Sequence, residues 1–226
     1  VTGTADGGAG SAPAGAVSVC VFCASGPVPA RYEELAADVG TALAARGWTL
    51  VSGGGRVSMM GAVARSARAG GARTVGVIPR GLVDMEVMDS DADELLVTET
   101  MRERKTLMDA HADAFLALPG GLGTVEELSE VWTASTLGMH DKPVVVLDPD
   151  GHYAGLMAWL REIAGEGFVR HEALDRLPVA ATIAEALDLC AGAAHTSGTA
   201  VRQVGRSAVA GAAGHGPGAG RAGGRP

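Results

Sequence analysis

The sequence predicts an α/β protein, a single domain built on a doubly wound parallel sheet between disordered tails. Three observations predict it. Short apolar runs alternate with helical patterns from Val17 to Ala191, the order that builds a parallel sheet with helices on both faces. Two glycine clusters, Gly53–Gly55 and Gly120–Gly123, each follow an apolar run, where an open α/β sheet binds ligands. Both ends are rich in Gly, Ala, Ser and Thr, and cannot bury enough surface to offset their ordering entropy.

In chain order, residues 1–16 are a disordered leader and residues 17–192 the folded domain. Val17–Cys23 is a strand. Pro29–Arg46 is a helix with Tyr32, Leu35, Ala36, Val39 and Leu43 inward, ended by Gly47. Trp48–Val51 is a short strand, and a helix runs from Met59 to Ala69. Thr74–Ile78 is a strand. The acidic stretch Pro79–Val97 reads as irregular. Thr100–Ala110 is a helix, Ala114–Leu118 a strand, and Val125–Leu137 a helix with Leu128, Val131, Trp132 and Ser135 on one stripe. Val144–Leu147 is a strand, Tyr153–Glu166 a helix, the region near Val179 a short strand, and Ile183–Ala191 the last helix. Residues 193–226 form the tail.

Net charge is −8, which argues against non-specific nucleic-acid binding. No run is long and apolar enough to span a bilayer, and no signal peptide opens the chain. A cytoplasmic protein with neither nucleic-acid nor membrane partners is expected. Cys20 and Cys23 stand three apart on a strand, so they face opposite sides and read as buried thiols. The six histidines show no ligand spacing, so no metal is expected.

The central stretch is Leu118-Pro119-Gly120-Gly121-Leu122-Gly123-Thr124-Val125-Glu126-Glu127. Its glycines let the backbone turn tightly and approach a ligand. Free N–H groups at the following helix start, with the positive end of the dipole, suit a phosphate. Glu127 places a carboxylate one turn inside that helix. Thr124 and Glu127 also fit a capping box; that motif needs none of the glycines.

Gly53, Gly54 and Gly55 offer a second phosphate loop. Neither cluster makes a dinucleotide fingerprint, since Ser58 holds the third glycine position after Gly53, and no G-x-x-x-x-G-K-[ST] occurs. A mononucleotide is the expected ligand. In Met101–Met108, Arg104 and Lys105 share a face with Met101 and Met108. Cations on an inward stripe are costly unless they meet an anion. No G-x-S-x-G is present. Lys105 and Lys142 are the only lysines, and neither stands in a pyridoxal-phosphate context.

Pro119-Gly120-Gly121-x-Gly123-Thr124-x-x-Glu127, with Arg104-Lys105 upstream, resembles the LONELY GUY family of cytokinin riboside 5′-monophosphate phosphoribohydrolases. Older labels call such proteins lysine decarboxylases. The resemblance covers Val17 to Ala191 and includes Cys20–Ser25, Gly53–Gly55 with Met60-Gly61, and Leu137–His140. It implies a Rossmann-like fold, a homodimer, no cofactor, and hydrolysis of the N-glycosidic bond of N6-substituted AMP to base and ribose 5-phosphate. By position it makes Arg104 and Glu127 catalytic. It puts substrate contacts at Glu86, Lys105, Gly121, Leu122, Gly123, Thr124, Val125, Glu126 and Thr133. Ser52 stands where the family has Tyr, Ser58 where it has Gly, and Arg102 where it has His. The acidic Asp84–Asp93 departs from a Thr/Gly-rich form.

Glycosidic cleavage passes through an oxocarbenium-like sugar. A carboxylate at Glu127 would stabilise that charge and orient or deprotonate water. Arg104 would orient Glu127 or the substrate. The alternative is a carrier that holds a nucleotide or phosphorylated cofactor in the same pocket without hydrolysis.

Overall fold

The computed structural model describes residues 17–83 and 88–197. Seven strands form one sheet of order β4-β3-β2-β1-β5-β6-β7, and every pairing is parallel. The strands are β1 Ser18–Phe22, β2 Thr49–Ser52, β3 Thr74–Pro79, β4 Glu94–Thr98, β5 Ala114–Ala117, β6 Val144–Leu147 and β7 Val179–Ala180. The helices are α1 Ala30–Ala45, α2 Ser58–Ala69, α3 Met101–His111, α4 Leu122–Thr136, α5 Ala154–Gly165, α6 His171–Asp175 and α7 Ile183–Ser197.

Strand alternation splits the core in two. Val19, Val21 and Cys23 pack with α1, α2 and α7. Cys20, Phe22 and Phe115 face the other layer, with α3, α4 and α5. Cys20 and Cys23 therefore point into opposite layers, and both are free thiols. Each fully buried side chain, such as Phe115 or Leu50, contributes about 1.5–3 kcal/mol. From β1 the chain builds outward to β4, then returns to place β5 on the other flank of β1. The sheet's order reverses between β1 and β5, and a crevice opens there between the loops that follow them.

Several boundaries differ from the sequence reading. Glu94–Thr98 is a strand, not part of an irregular segment. It is an edge strand paired only with β3, and its acidic flank hides the short apolar run. Those acids have structural work: Asp89 pairs with Arg68 at 2.8 Å, and Asp93 accepts from the Thr74 N–H at 2.7 Å. α6 is an additional short helix. α7 continues to Ser197, so Ala193–Ser197, assigned to the tail by composition, are helical. The leader and the rest of the tail lie outside the described residues.

α4 starts at Leu122 rather than Val125, with Gly121 as N-cap and no side-chain cap. The capping box stands instead at the start of α3, where Thr100 accepts from the Glu103 N–H at 3.1 Å and Glu103 accepts from the Thr100 N–H at 3.3 Å. Thr124 and Glu127 thus do not cap α4. That removes the capping explanation for Glu127.

Candidate active site

Arg104 sits on the inner face of α3 and is 6% exposed. A buried guanidinium costs several kcal/mol unless its donors are met. Its Nε donates to the Val77 carbonyl at 3.1 Å and its Nη2 to the Gly53 carbonyl at 3.4 Å. The ends of β3 and β2 thereby hold the side chain, and its Nη1 reaches Glu127 Oε1 on α4 at 3.4 Å. Gly53 permits this: a Cβ there would fall on Arg104 Nη2. Gly54 has φ +75 and lies against β3, where a Cβ would press on Val77 and Ile78. Gly55 bridges to Met88. All three glycines are buried.

The crevice at the sheet's reversal has a volume of about 420 Å³. The Cys23–Val28 loop after β1 forms one wall, and Gly121–Thr124 at the start of α4 the other, with Arg104, Glu126 and Glu127 at the side. The first N–H groups of α4 have no carbonyl a turn earlier to bond to, and this is the dipole's positive end. Gly120 lets the turn close, since its Cβ position is filled by the Thr124 side chain. Burial, and then the Glu127 carboxylate, push the Cys23 thiol well up. It stays protonated and is no nucleophile.

A second cavity of about 260 Å³ lies between α3 and α4. Phe22, Met108, Phe115, Val131 and Ala134 give it a mainly apolar surface, and Lys105, Asp109, Glu127 and Glu130 line it too. Glu127 thus stands between a crevice with anion-binding character and a mainly apolar chamber. His140 is at the chamber's edge. Its Nε2 donates to the Val131 carbonyl at 3.0 Å and its Nδ1 accepts from the Lys142 N–H at 3.2 Å. Burial lowers its pKa, consistent with this neutral form.

Lys105 lies on the outer edge of the same face. Its Nζ is 2.6 Å from Glu126 Oε1 and also contacts Glu130. Hydrogen bonds to Glu126 and then Glu130 raise its pKa. Met101 is 44% exposed, so the inward stripe read from sequence narrows to Arg104 and Met108, with Lys105 half-buried.

Of the residues named from sequence, Arg104, Glu127, Gly121, Leu122, Gly123, Thr124 and Glu126 line the crevice, and Lys105 lines the chamber. Val125 packs against the core. Thr133 is exposed further along α4, and it lines neither space. Gly53–Gly55 hold Arg104 and β3 rather than line the crevice. Glu86 lies outside the described residues. Sequence reading missed the Ser25–Val28 wall and the turn before α5, where His152 and Tyr153 touch the Leu118–Gly120 loop. A parallel sheet places every strand-to-helix loop at one edge, so topology was the signal for both.

A family model described as "possible lysine decarboxylase" matches residues 60–190. The cytokinin riboside 5′-monophosphate phosphoribohydrolase of Mycobacterium marinum is 58% identical over 174 residues, spanning 77% of this chain and 93% of that protein. The Mycobacterium tuberculosis protein of the same name is 55% identical over the same shares. Among solved structures, the molybdenum cofactor binding protein of Rippkaea orientalis has a TM-score of 0.60 at 20% identity, covering 77% of this chain and 94% of that one. At that identity the likeness is one of fold.

Proposed function

The chain belongs to the LONELY GUY family, whose sequence model carries the "possible lysine decarboxylase" description, and from that premise we propose how it works as a nucleoside 5′-monophosphate phosphoribohydrolase. It is a hydrolase of N-glycosyl bonds that converts N6-substituted AMP to free base and ribose 5-phosphate. The observation that carries the reading is the Arg104–Glu127 pair, set beside the open N-terminus of α4. The 5′-phosphate sits on the N–H groups of Gly121–Thr124, and the ribose lies against Glu127. As the C1′–N9 bond breaks, its electron pair leaves with the base. Glu127 stabilises the cationic sugar and orients water, whose oxygen bonds to C1′ while its proton goes with the base. Arg104, tied to two backbone carbonyls, keeps the Glu127 carboxylate aimed.

The chamber beyond Glu127 suits a hydrocarbon substituent on N6, since Phe22, Met108, Phe115 and Val131 offer it apolar surface to bury against. Decarboxylation through a pyridoxal aldimine has no support: Lys105 is held by Glu126 and Glu130, and Lys142 by Asp109 at 2.7 Å. A carrier needs the anion-binding turn but has no use for a carboxylate against the sugar.

A homodimer fits the exposed Leu122 at the start of α4 and the exposed Leu137 and Met139 just past its end. Trp132 does not join them: it is half-buried and donates to the Ala173 carbonyl at 2.7 Å. We place the enzyme in the cytoplasm, on the sequence expectation; among the described residues no helix is long and apolar enough to cross a membrane. The test of function is incubation of pure protein with AMP and N6-isopentenyl-AMP. Free base and ribose 5-phosphate are expected from both, faster from the second. Nucleotide binding without base release would make it a carrier.

A further inference from the structure

β6 ends at Leu147, and the chain turns through Asp148–Tyr153 before α5. Asp148 stiffens this turn by accepting the His152 N–H at 2.6 Å and the Tyr153 N–H at 2.8 Å. Tyr153 is buried and its hydroxyl donates to the Leu118 carbonyl at 2.8 Å. His152 Nε2 lies 2.9 Å from the Gly120 carbonyl oxygen. A carbonyl only accepts, so Nε2 carries the proton. The ring is kept in place edge-on to Tyr153, at 4.7 Å between centroids, and to Tyr32, at 6.0 Å.

The Gly120–Gly121 peptide is planar, with its C=O and N–H pointing in opposite directions. With the Gly120 oxygen turned toward His152, the Gly121 N–H points the opposite way, and Gly121 itself lines the crevice. The helix fixes the N–H directions of Leu122, Gly123 and Thr124. It does not fix that of Gly121, which stands outside it as N-cap. Glycine at both positions leaves the linking peptide without the backbone restriction that a side chain would impose. In the flipped orientation a carbonyl oxygen would face the incoming anion.

We infer that His152 is a positioning residue for the substrate's 5′-phosphate: by holding the Gly120 carbonyl, it keeps the Gly121 N–H aimed into the crevice as an anion donor. This rests on the phosphate site proposed above. The test compares wild type with His152→Phe, which keeps the ring contacts without the donor, and His152→Gln, which restores an N–H donor. The readouts are KM and kcat for N6-isopentenyl-AMP, and ribose 5-phosphate affinity by calorimetry. In His152→Phe, KM and the ribose 5-phosphate dissociation constant rise about tenfold, the scale of one hydrogen bond to a charged group. kcat falls less than about threefold, because the reacting centre is untouched. His152→Gln recovers most of the affinity. A purely structural role would lower kcat and melting temperature together, with no rescue by Gln. Unchanged ribose 5-phosphate affinity in His152→Phe overturns the inference. Wild type that binds ribose 5-phosphate yet releases no base overturns the enzymatic reading alone, and one that binds neither phosphate overturns both.

Discussion

Arg104 Nη2 occupies the space that a side chain on Gly53 would need, so the glycine at the end of β2 and the cation on α3 share one site. The close approach joins two sequence motifs far apart in the chain. It also gives the Gly53–Gly55 cluster a reason to exist that does not require a ligand against it.

Gly53→Ala follows directly. The atom displaced is the far end of a flexible side chain, so the protein should fold. Arg104 would have to leave the Gly53 carbonyl and shift relative to Glu127. A misplacement of about 1 Å costs on the order of 10²-fold in rate. Turnover of N6-isopentenyl-AMP should fall about 10–100-fold, with ribose 5-phosphate affinity nearly unchanged. Wild-type turnover in a folded Gly53→Ala protein would show that Arg104 needs no fixed position.

Alternation of apolar runs and helices was enough to read β1, β2, β3, β5, β6 and the short β7 and their crossovers, because buried parallel strands are short and apolar. β4 was hidden because an edge strand is only half covered, and Glu94 and the neighbouring aspartates disguised it. The pairing of Arg104 with Glu127 was legible only through the family resemblance. Spacing put Arg104 inward, but it counted Met101 with it and could not show the Val77 and Gly53 carbonyls that hold it. Thr124-x-x-Glu127 looked like a cap because the N-cap here is Gly121, which leaves no side-chain signature. His152 was silent, since its role depends on a contact 32 residues away.

Ser58 opens α2 with φ 51, and its buried hydroxyl has no hydrogen-bond partner. Left-handed geometry costs a residue with a Cβ about 1–2 kcal/mol, and an unsatisfied buried hydroxyl about 1–3 kcal/mol. Glycine removes both, against about 0.5–1 kcal/mol of extra chain entropy. Ser58→Gly should raise stability by about 1 kcal/mol, or roughly 2–4 °C in melting temperature. A lower melting temperature would mean that the hydroxyl has a partner in solution.

His140 should make the fold acid-sensitive. Burial lowers its folded-state pKa, so below histidine's ordinary value of about 6.5 the unfolded chain binds a proton that the folded chain does not. Stability therefore rises with pH across that window. The contribution is intact above the ordinary value and is lost as pH falls through it toward the lowered folded value. His140→Gln, which does not titrate, should flatten the dependence of melting temperature between pH 7 and 5. An unaltered slope in that variant would assign the acid sensitivity to other groups.

Glu127 bears the most weight. α4 has Gly121 as its N-cap and no side-chain cap, so Glu127→Gln removes no helix cap. The amide keeps the carboxylate's shape, and its oxygen can still accept from Arg104 Nη1. Arg104 also retains the Val77 and Gly53 carbonyls, so its burial remains partly compensated and the melting temperature should move by only a few degrees. What the substitution removes is the negative charge and the basic oxygen. If Glu127 stabilises the sugar cation or takes a proton from water, turnover should fall roughly 10²–10⁴-fold, the scale for losing a positioned acid–base group. KM and ribose 5-phosphate affinity should stay near wild type, because the N–H groups of Gly121–Thr124 are untouched. Arg104→Ala should also cut turnover and should melt lower, since it empties a buried site. Base release by Glu127→Gln, measured beside its thermal melt and its ribose 5-phosphate titration, separates the roles. Near-normal turnover in a folded, phosphate-binding variant would leave the chemistry to another group. A large loss of phosphate affinity would place Glu127 in the binding of the anion rather than of the sugar.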